Sequence, residues 1–298
     1  MIPTRDVVTK VFRDCGCNLT VIEPGRAWQC HLSNGADIPV SVHAEDPWLT
    51  MRESRSSNNR NIQSMQDNRL FHLLSQNSSM HGCAKYVLEE DGGIRVKAEI
   101  PLWDGEHLSK VLEKSIQGLI HAIQVVSEPQ SRSNPPQRQT NGCRLSSRQQ
   151  IQLVETIERA GGKIIQGSKE EIWIDLESQS TYAKVNCGDE EDFRIYFEIL
   201  SADHSSPIVH RSLMMLLLIV SRVVKMVRAF VMRENRRTKY YLEAPICFRH
   251  DPRNWEYAIA SLELAGRLCK KEMMALSRNE ALARDYMAFQ GFDAEASI

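Results

Sequence analysis

Apolar residues recur at helical spacing near the start of the chain. Val7, Val8, Val11, Phe12 and Cys15 share one face behind a Thr4 cap, and Gly16 ends the run. The period then changes. Strand-like runs follow at 19–22, 28–32, 38–43 and 48–52, and in the third Ile38, Val40 and Val42 alternate with other residues. Pro24-Gly25 and Asn34-Gly35 mark turns between them, which predicts an antiparallel meander. Beyond a polar loop at 54–61, a helix is expected over 62–76, with Ile62, Met65, Leu70, Leu73 and Leu74 on its apolar side. A hairpin follows: 84–89, the turn Asp91-Gly92-Gly93, then 94–100. A helix over 104–126 closes the stretch, its stripe running through Leu108, Val111, Leu112, Ser115, Ile116, Leu119, Ile120 and Ile123.

Residues 128–146 differ in kind. They are rich in Pro, Ser, Gln, Asn and Arg around Pro135-Pro136, a composition expected of an extended linker. After it the order returns. Ser147 with Gln150 suggests a capping box, Ile151, Val154 and Ile157 form a helix face, and Gly161-Gly162 stop it. Strands are expected near 163–165, 172–176, 181–187 and 193–200. Pro207 is expected to open a long helix reaching residue 235 with two apolar stripes. Leu213, Leu217, Val220, Val224, Val227 and Val231 make one; Met215, Ile219, Val223, Met226 and Phe230 make the other. A second hairpin is expected from 240–242 and 246–248. Asp251-Pro252 then caps a long helix striped by Trp255, Ile259, Leu262, Leu268, Met273 and Leu276, and a terminal helix spans 280–289.

One segment is echoed. Lys85-Tyr86-Val87-Leu88-Glu89 returns as Lys239-Tyr240-Tyr241-Leu242-Glu243, each time after a helical stretch. The order of elements around both copies implies duplication. The expected fold is α+β: two tandem copies of a helix–antiparallel sheet–helix–hairpin–helix domain, at 1–127 and 147–298, the second with an extra C-terminal helix. The copies are expected to pack as a pseudo-twofold pair inside one chain, leaving open whether chains associate further.

Composition narrows the function. A length of 298 residues suits two domains, and 42% apolar with 25% charged residues is ordinary for a globular protein. A formal net charge of -1 gives no general reason to expect nucleic acid or an anionic membrane. The longest apolar run, 213–220, is too short to span a bilayer, and the start lacks the apolar core of a secretory signal. Eight scattered cysteines point to reduced thiols and a cytoplasmic protein.

The stretch from Leu73 to Ile123, with its Lys85–Glu89 strand, Asp91-Gly92-Gly93 turn, Pro101-Leu102 and long amphipathic helix, resembles the YbjN-like domain family. That family belongs with the type III secretion chaperone-like fold (the CesT type). The second copy is similar in element order but lacks the Asp-Gly-Gly turn. The resemblance implies a curved sheet with helices, binding of polypeptide segments or a regulatory role, and no enzyme activity. It carries over no catalytic residue.

Residue patterns agree in offering no chemistry. The chain has no P-loop, no Gly-x-Gly-x-x-Gly, no Gly-x-Ser-x-Gly and no His-Glu-x-x-His. His43 with Asp46, and Asp203 with His204, are polar residues near strand ends that nothing selects. Cys15, Cys17, Cys30 and His31 could supply four ligands, but their spacing is not that of a structural zinc site, and core thiols are the simpler reading. The basic residues Arg233, Arg236, Arg237 and Lys239 read as a solvated helix end. The tryptophans Trp28, Trp48, Trp103, Trp173 and Trp255 read as core or rim. The Met215, Ile219, Val223, Met226 and Phe230 stripe is either core or the surface that holds a partner. The expectation is a chaperone- or adaptor-like protein-interaction module for a protein or peptide segment, with no cofactor, metal, nucleic acid or membrane. Its rivals are an enzyme with a site between the copies, and a regulatory scaffold without ligand. A dry, apolar interface between copies would favour binding; a polar pocket with perturbed titratable groups would favour the enzyme.

Overall fold

The computed structural model describes residues 5–24, 27–33, 37–45, 47–54, 61–62, 65–102, 107–127, 145–167, 172–179, 181–187, 193–203, 206–235 and 237–291. Thr4, Gly25, Asn34-Gly35, Asp46, Trp103, the stretch 128–144, His204 and Arg236 lie outside the described residues.

In the N-terminal half, α1 (Arg5–Asp14) leads into β1 (Asn18–Glu23), β2 (Ala27–Ser33), β3 (Asp37–Glu45) and β4 (Trp48–Glu53). Then come α2 (Asp67–Asn77), β5 (Ala84–Leu88), β6 (Ile94–Pro101) and α3 (Leu108–Ser127). The C-terminal half runs α4 (Ser147–Arg159), β7 (Ile164–Gly167), β8 (Ile172–Leu176), β9 (Thr181–Cys187) and β10 (Phe193–Asp203). It continues with α5 (Pro207–Val223), β11 (Arg228–Glu234), β12 (Arg237–Ile246), α6 (Pro252–Arg278) and α7 (Glu280–Phe289). Each half builds a six-stranded antiparallel sheet, β1-β2-β3-β4-β6-β5 and β7-β8-β9-β10-β12-β11. The orders are the same strand for strand, so the duplicated architecture is present. α3 lies across β5 and β6, α6 lies across β10 and β12, and the apolar core runs unbroken through both halves.

Several local expectations shift. Helix α2 begins at Asp67, so Ile62 and Met65 are buried ahead of it rather than on it. The capping box sits one residue earlier than expected: Ser146 accepts from the Gln149 amide, and the Gln149 side chain accepts from the Ser146 amide. Asp251 caps α6 as expected, with Pro252 in its first turn. Leu268 of the α6 stripe faces solvent.

The larger correction concerns the long helix expected over 207–235. It stops at Val223; the chain reverses through Lys225 and Met226, and residues from Arg228 onward form strand β11. Met226 turns the chain in the left-handed region, at φ 61°, without the glycine that would announce it. From there β-branched Val231 and aromatic Phe230 suit a strand buried on both faces. The second hairpin is therefore β11 with β12, not 240–242 with 246–248. The echoed segments are consequently not counterparts: Lys85–Glu89 lies on β5 and its immediate flank, but Lys239–Glu243 lies in β12, the equivalent of β6. The counterpart sequences are Glu99-Ile100-Pro101 and Glu243-Ala244-Pro245, where Pro101 opposes Trp48 and Pro245 opposes Arg194.

The halves meet through exchanged elements. α5 packs on β5 of the first half, and α2 packs on β11 of the second, an isologous arrangement within one chain. Both β5 and β11 are sheet edges, whose backbone groups need partners. Asn77 of α2 accepts from the Tyr86 amide of β5 at 3.0 Å and donates to the Ala229 carbonyl of β11 at 2.7 Å. Ser221 of α5 accepts from the Ala229 amide at 3.0 Å.

Buried cations cross the same seam. Lys85 pairs with Glu99 at 2.7 Å and donates to the Val224 and Val227 carbonyls, both at 3.0 Å. In return Arg228 donates to Glu243 at 2.7 Å and reaches the Met80, Gly82 and Ala84 carbonyls at 3.1, 3.3 and 3.2 Å. Arg194 donates to the Ser78 and Met80 carbonyls, and Arg211 donates to Asp67 and the Ile62 carbonyl. Burial lowers the pKa of Lys85, against the pull of Glu99. Burial acts upward on Glu99, but the Lys85 and Lys97 ammoniums outweigh it and hold its carboxyl below the usual range.

Removing one partner of a buried pair strands the other charge. Arg228→Ala is expected to lower unfolding stability by about 3–5 kcal/mol in a urea titration. Arg237→Ala, which breaks the exposed pair with Asp203, is expected to cost less than about 1 kcal/mol. Acid provides a second check. With its native pKa depressed, Glu99 contributes stability that is fully present above its ordinary value of 4.5 and lost as pH falls through the lower native value. Urea midpoints below pH 4.5 should therefore fall less steeply in a Lys85→Met/Glu99→Leu double variant than in the parent chain.

Candidate functional site

A cleft of about 280 Å³ opens on the seam between the halves. Its first wall is the α2–β5 loop, with His81 and Gly82, and the first turns of α3, with His107, Lys110, Val111 and Lys114. The second wall is the end of β12 and the approach to α6, from Pro245 to Asp251, with Phe193 of β10 beneath. A smaller crevice next to α4 shares Phe193, Arg249 and His250 with the cleft and adds Leu145, Gln149, Gln152 and Leu153. The two adjoin at those three shared residues.

Glycine fixes the first wall. Gly82 sits at φ 58°, and a Cβ there would come within 2.8 Å of the Ser115 backbone on α3. A Cβ on Gly118, one helical turn further along, would collide with the His81 carbonyl. The α2–β5 loop can thus lie against α3 only because both positions lack side chains.

Charge on the groove is one-sided. His107 just before α3 and Lys110 and Lys114 on its first turns line one wall, and Arg249 and His250 face them from the other half. Arg249 stacks over Phe193 at 5.6 Å and donates to the His250 ring at 2.8 Å. Among the described residues one carboxylate lines the cleft, Asp251, which caps α6 and pairs with Arg253 at 2.7 Å. The amide end of the α6 dipole points the same way. Burial, then the Arg249 and His107 charges, lowers the pKa of His250. The arrangement suits carboxylate or phosphate groups.

No family model matches this chain, and no curated protein or solved structure matches it either. The site therefore rests on its own geometry.

The stripe expected to hold a partner is not one surface. Met215 is buried on α5, and Ile219 is half-buried on that helix. Val223, 59% exposed, ends the helix; Met226 is buried in the turn, and Phe230 is buried on β11 against Tyr241. The stripe depended on a helix that stops at Val223. α5 is instead enclosed by β5 of the other half and by α6 and α7. Of the basic residues expected at a helix end, Arg233 lies on β11, where it covers Phe71 at 5.0 Å, and Arg237 and Lys239 lie on β12. Cys17 and Cys30 are buried together, and the Cys30 thiol holds that of Cys17 below its usual pKa. Among the described residues no helix is long and apolar enough to cross a membrane, and no cluster of His, Cys, Asp and Glu is built to hold a metal.

Two expectations about the seam fare differently. It is not dry and apolar, since Lys85, Arg194, Arg211 and Arg228 are buried in it. Their partners are protein carboxylates and carbonyls, the pattern of a fastening. The groove escaped sequence reading because its walls are far apart in the chain. One local signal was available: His107, Lys110 and Lys114 at one-turn spacing on the polar side of a helix read only for its apolar stripe.

The wall's shape is testable. Gly118→Ala is expected to cost about 1–3 kcal/mol in chemical denaturation, because the backbone it would strike cannot rotate away. A Gly16→Ala variant, with open space around the new methyl, should lose only the backbone cost of about 1 kcal/mol.

Proposed function

We propose that this chain is a protein-interaction module, two type III secretion chaperone-like domains in tandem, that holds an extended acidic segment of a partner in the groove between its halves. The observation that carries the reading is the cationic lining of the groove among the described residues, with Lys110, Lys114 and Arg249 converging from both halves and the described lining carboxylate, Asp251, already paired. The identical strand order of the halves supports the tandem reading. The small crevice that adjoins the cleft past Arg249, towards α4, is compatible with a ligand longer than the cleft itself. Its own connecting stretch, 128–144, carries Arg132, Arg138 and Arg144 against Glu128 and is a poor electrostatic match for the groove.

The test is fluorescence anisotropy of the full chain with labelled decaglutamate, decaserine and decalysine peptides. Decaglutamate should bind, weaken as salt rises, and lose about tenfold in affinity in a Lys110→Ala/Lys114→Ala variant. Equal binding of all three peptides, or an unchanged affinity in that variant, would overturn the proposal. Tighter binding of a ten-nucleotide oligothymidylate than of decaglutamate would replace it with a nucleic-acid reading.

A further inference from the structure

Two thiols meet across the seam. Cys83 stands directly before β5 in the first half, and Cys247 directly after β12 in the second; 164 positions separate them in sequence, yet their sulfurs lie 2.6 Å apart. Neither is there by loose packing. The Cys83 amide donates to Ser115 Oγ at 3.3 Å, and the Met80, Gly82 and Ala84 carbonyls around it are gripped by Arg228. Cys247 follows Ile246 at the end of a strand paired along its length with β10. Both thiols are thus held by rigid elements of different halves.

Access adds to proximity. Cys247 is half-buried and lines the cleft, whereas Cys83 is buried behind it. Lys110, Lys114 and Arg249 share that lining with Cys247. We propose that Cys83 and Cys247 are a peroxide-responsive pair that closes to a disulfide and bolts the two halves together. The Cys247 thiolate attacks one oxygen of hydrogen peroxide; the O–O bond breaks, and hydroxide leaves to take up a proton as water. This leaves a sulfenic acid on Cys247. The Cys83 sulfur then attacks the Cys247 sulfur, its proton leaves with the departing hydroxyl as a second water, and the S–S bond forms. Two thiols and one peroxide give one disulfide and two waters. Reduction by a dithiol reverses the change. The bond would close a very long loop, so it restrains the unfolded chain strongly. This inference does not rest on what the groove binds.

The experiment uses the full chain, reduced or treated with equimolar hydrogen peroxide, then alkylated and mapped by peptide mass spectrometry. The expected product is a cross-linked peptide pair containing Cys83 and Cys247, reversed by dithiothreitol. The melting temperature should rise by several degrees on oxidation, and the rise should vanish in Cys247→Ser. Alkylation of both cysteines after peroxide would overturn the proposal. So would a cross-link confined to Cys17 and Cys30, the other neighbouring thiols, or sulfinic acid on Cys247 with Cys83 still a thiol. The mapping is done on the parent chain, so its outcome does not depend on whether the variant folds.

Discussion

The grip of Arg228 on the α2–β5 loop is the contact on which the rest of this molecule depends. A helix ends with carbonyls that have no partner inside it, and a tight connection to a strand adds more. In this chain each half leaves such carbonyls pointing at the other. Those of Met80, Gly82 and Ala84 are met by Arg228, and those of Val224 and Val227 by Lys85. Each cation is itself neutralised by a glutamate on its own hairpin, Glu243 or Glu99. Once the halves pack together these carbonyls are buried, and the cations of the opposite half are what meet them. The reciprocity fixes the register of the two halves within the apolar surface around it.

The exchange is reciprocal but not identical. Arginine, a planar fork with five donors, spans three carbonyls and a carboxylate on one side. Lysine, a point charge with three donors, takes two carbonyls and a carboxylate on the other. By strand register the position opposite Glu243 is Arg228, whereas β5 begins one residue after the position facing Glu99, which is Cys83. A thiol therefore occupies the place where the second half keeps its arginine, and Lys85 serves Glu99 from two residues further on. The two halves thus differ at this position, and the first places a small thiol at the seam.

Much of the fold was legible where residues act locally. Alternation in β8 and β9, Asp251-Pro252 before α6, and the Asp91-Gly92-Gly93 turn each need only their neighbours to specify structure. What failed depended on distant partners. Val224, Val227 and Val231 continue a helical spacing from α5, and no glycine or proline interrupts them. Only the packing of β11 against α2 and β12 decides that they form a turn and a strand. The misplaced helix then shifted the hairpin, and with it the supposed echo of Lys85–Glu89. The repeated order of elements was legible and returns as the matching strand order of the two sheets, although the segment that suggested it pairs non-equivalent strands. The groove was out of reach for a plainer reason: α3 and the β12–α6 connection meet only once both halves are folded.

A twofold-like seam creates two related places, and this chain treats them differently. One lies where the α2–β5 loop and α3 meet the end of β12, and it is the open groove. Its counterpart lies where the α5–β11 turn and α6 meet the first half at β4 and the end of β6. There Lys225 covers Trp48 at 5.2 Å, and Tyr257 of α6 meets the same ring edge-on at 5.8 Å. Trp48 and Arg194 occupy matching positions, opposite Pro101 and Pro245. An indole at one fills the seam; a guanidinium at the other turns inward to the Ser78 and Met80 carbonyls. A symmetric dimer of identical chains would have to seal both places or open both. Joining the copies in one chain frees them to differ, so that one seam can supply rigidity by aromatic packing and the other can keep a cationic groove above a pair of thiols.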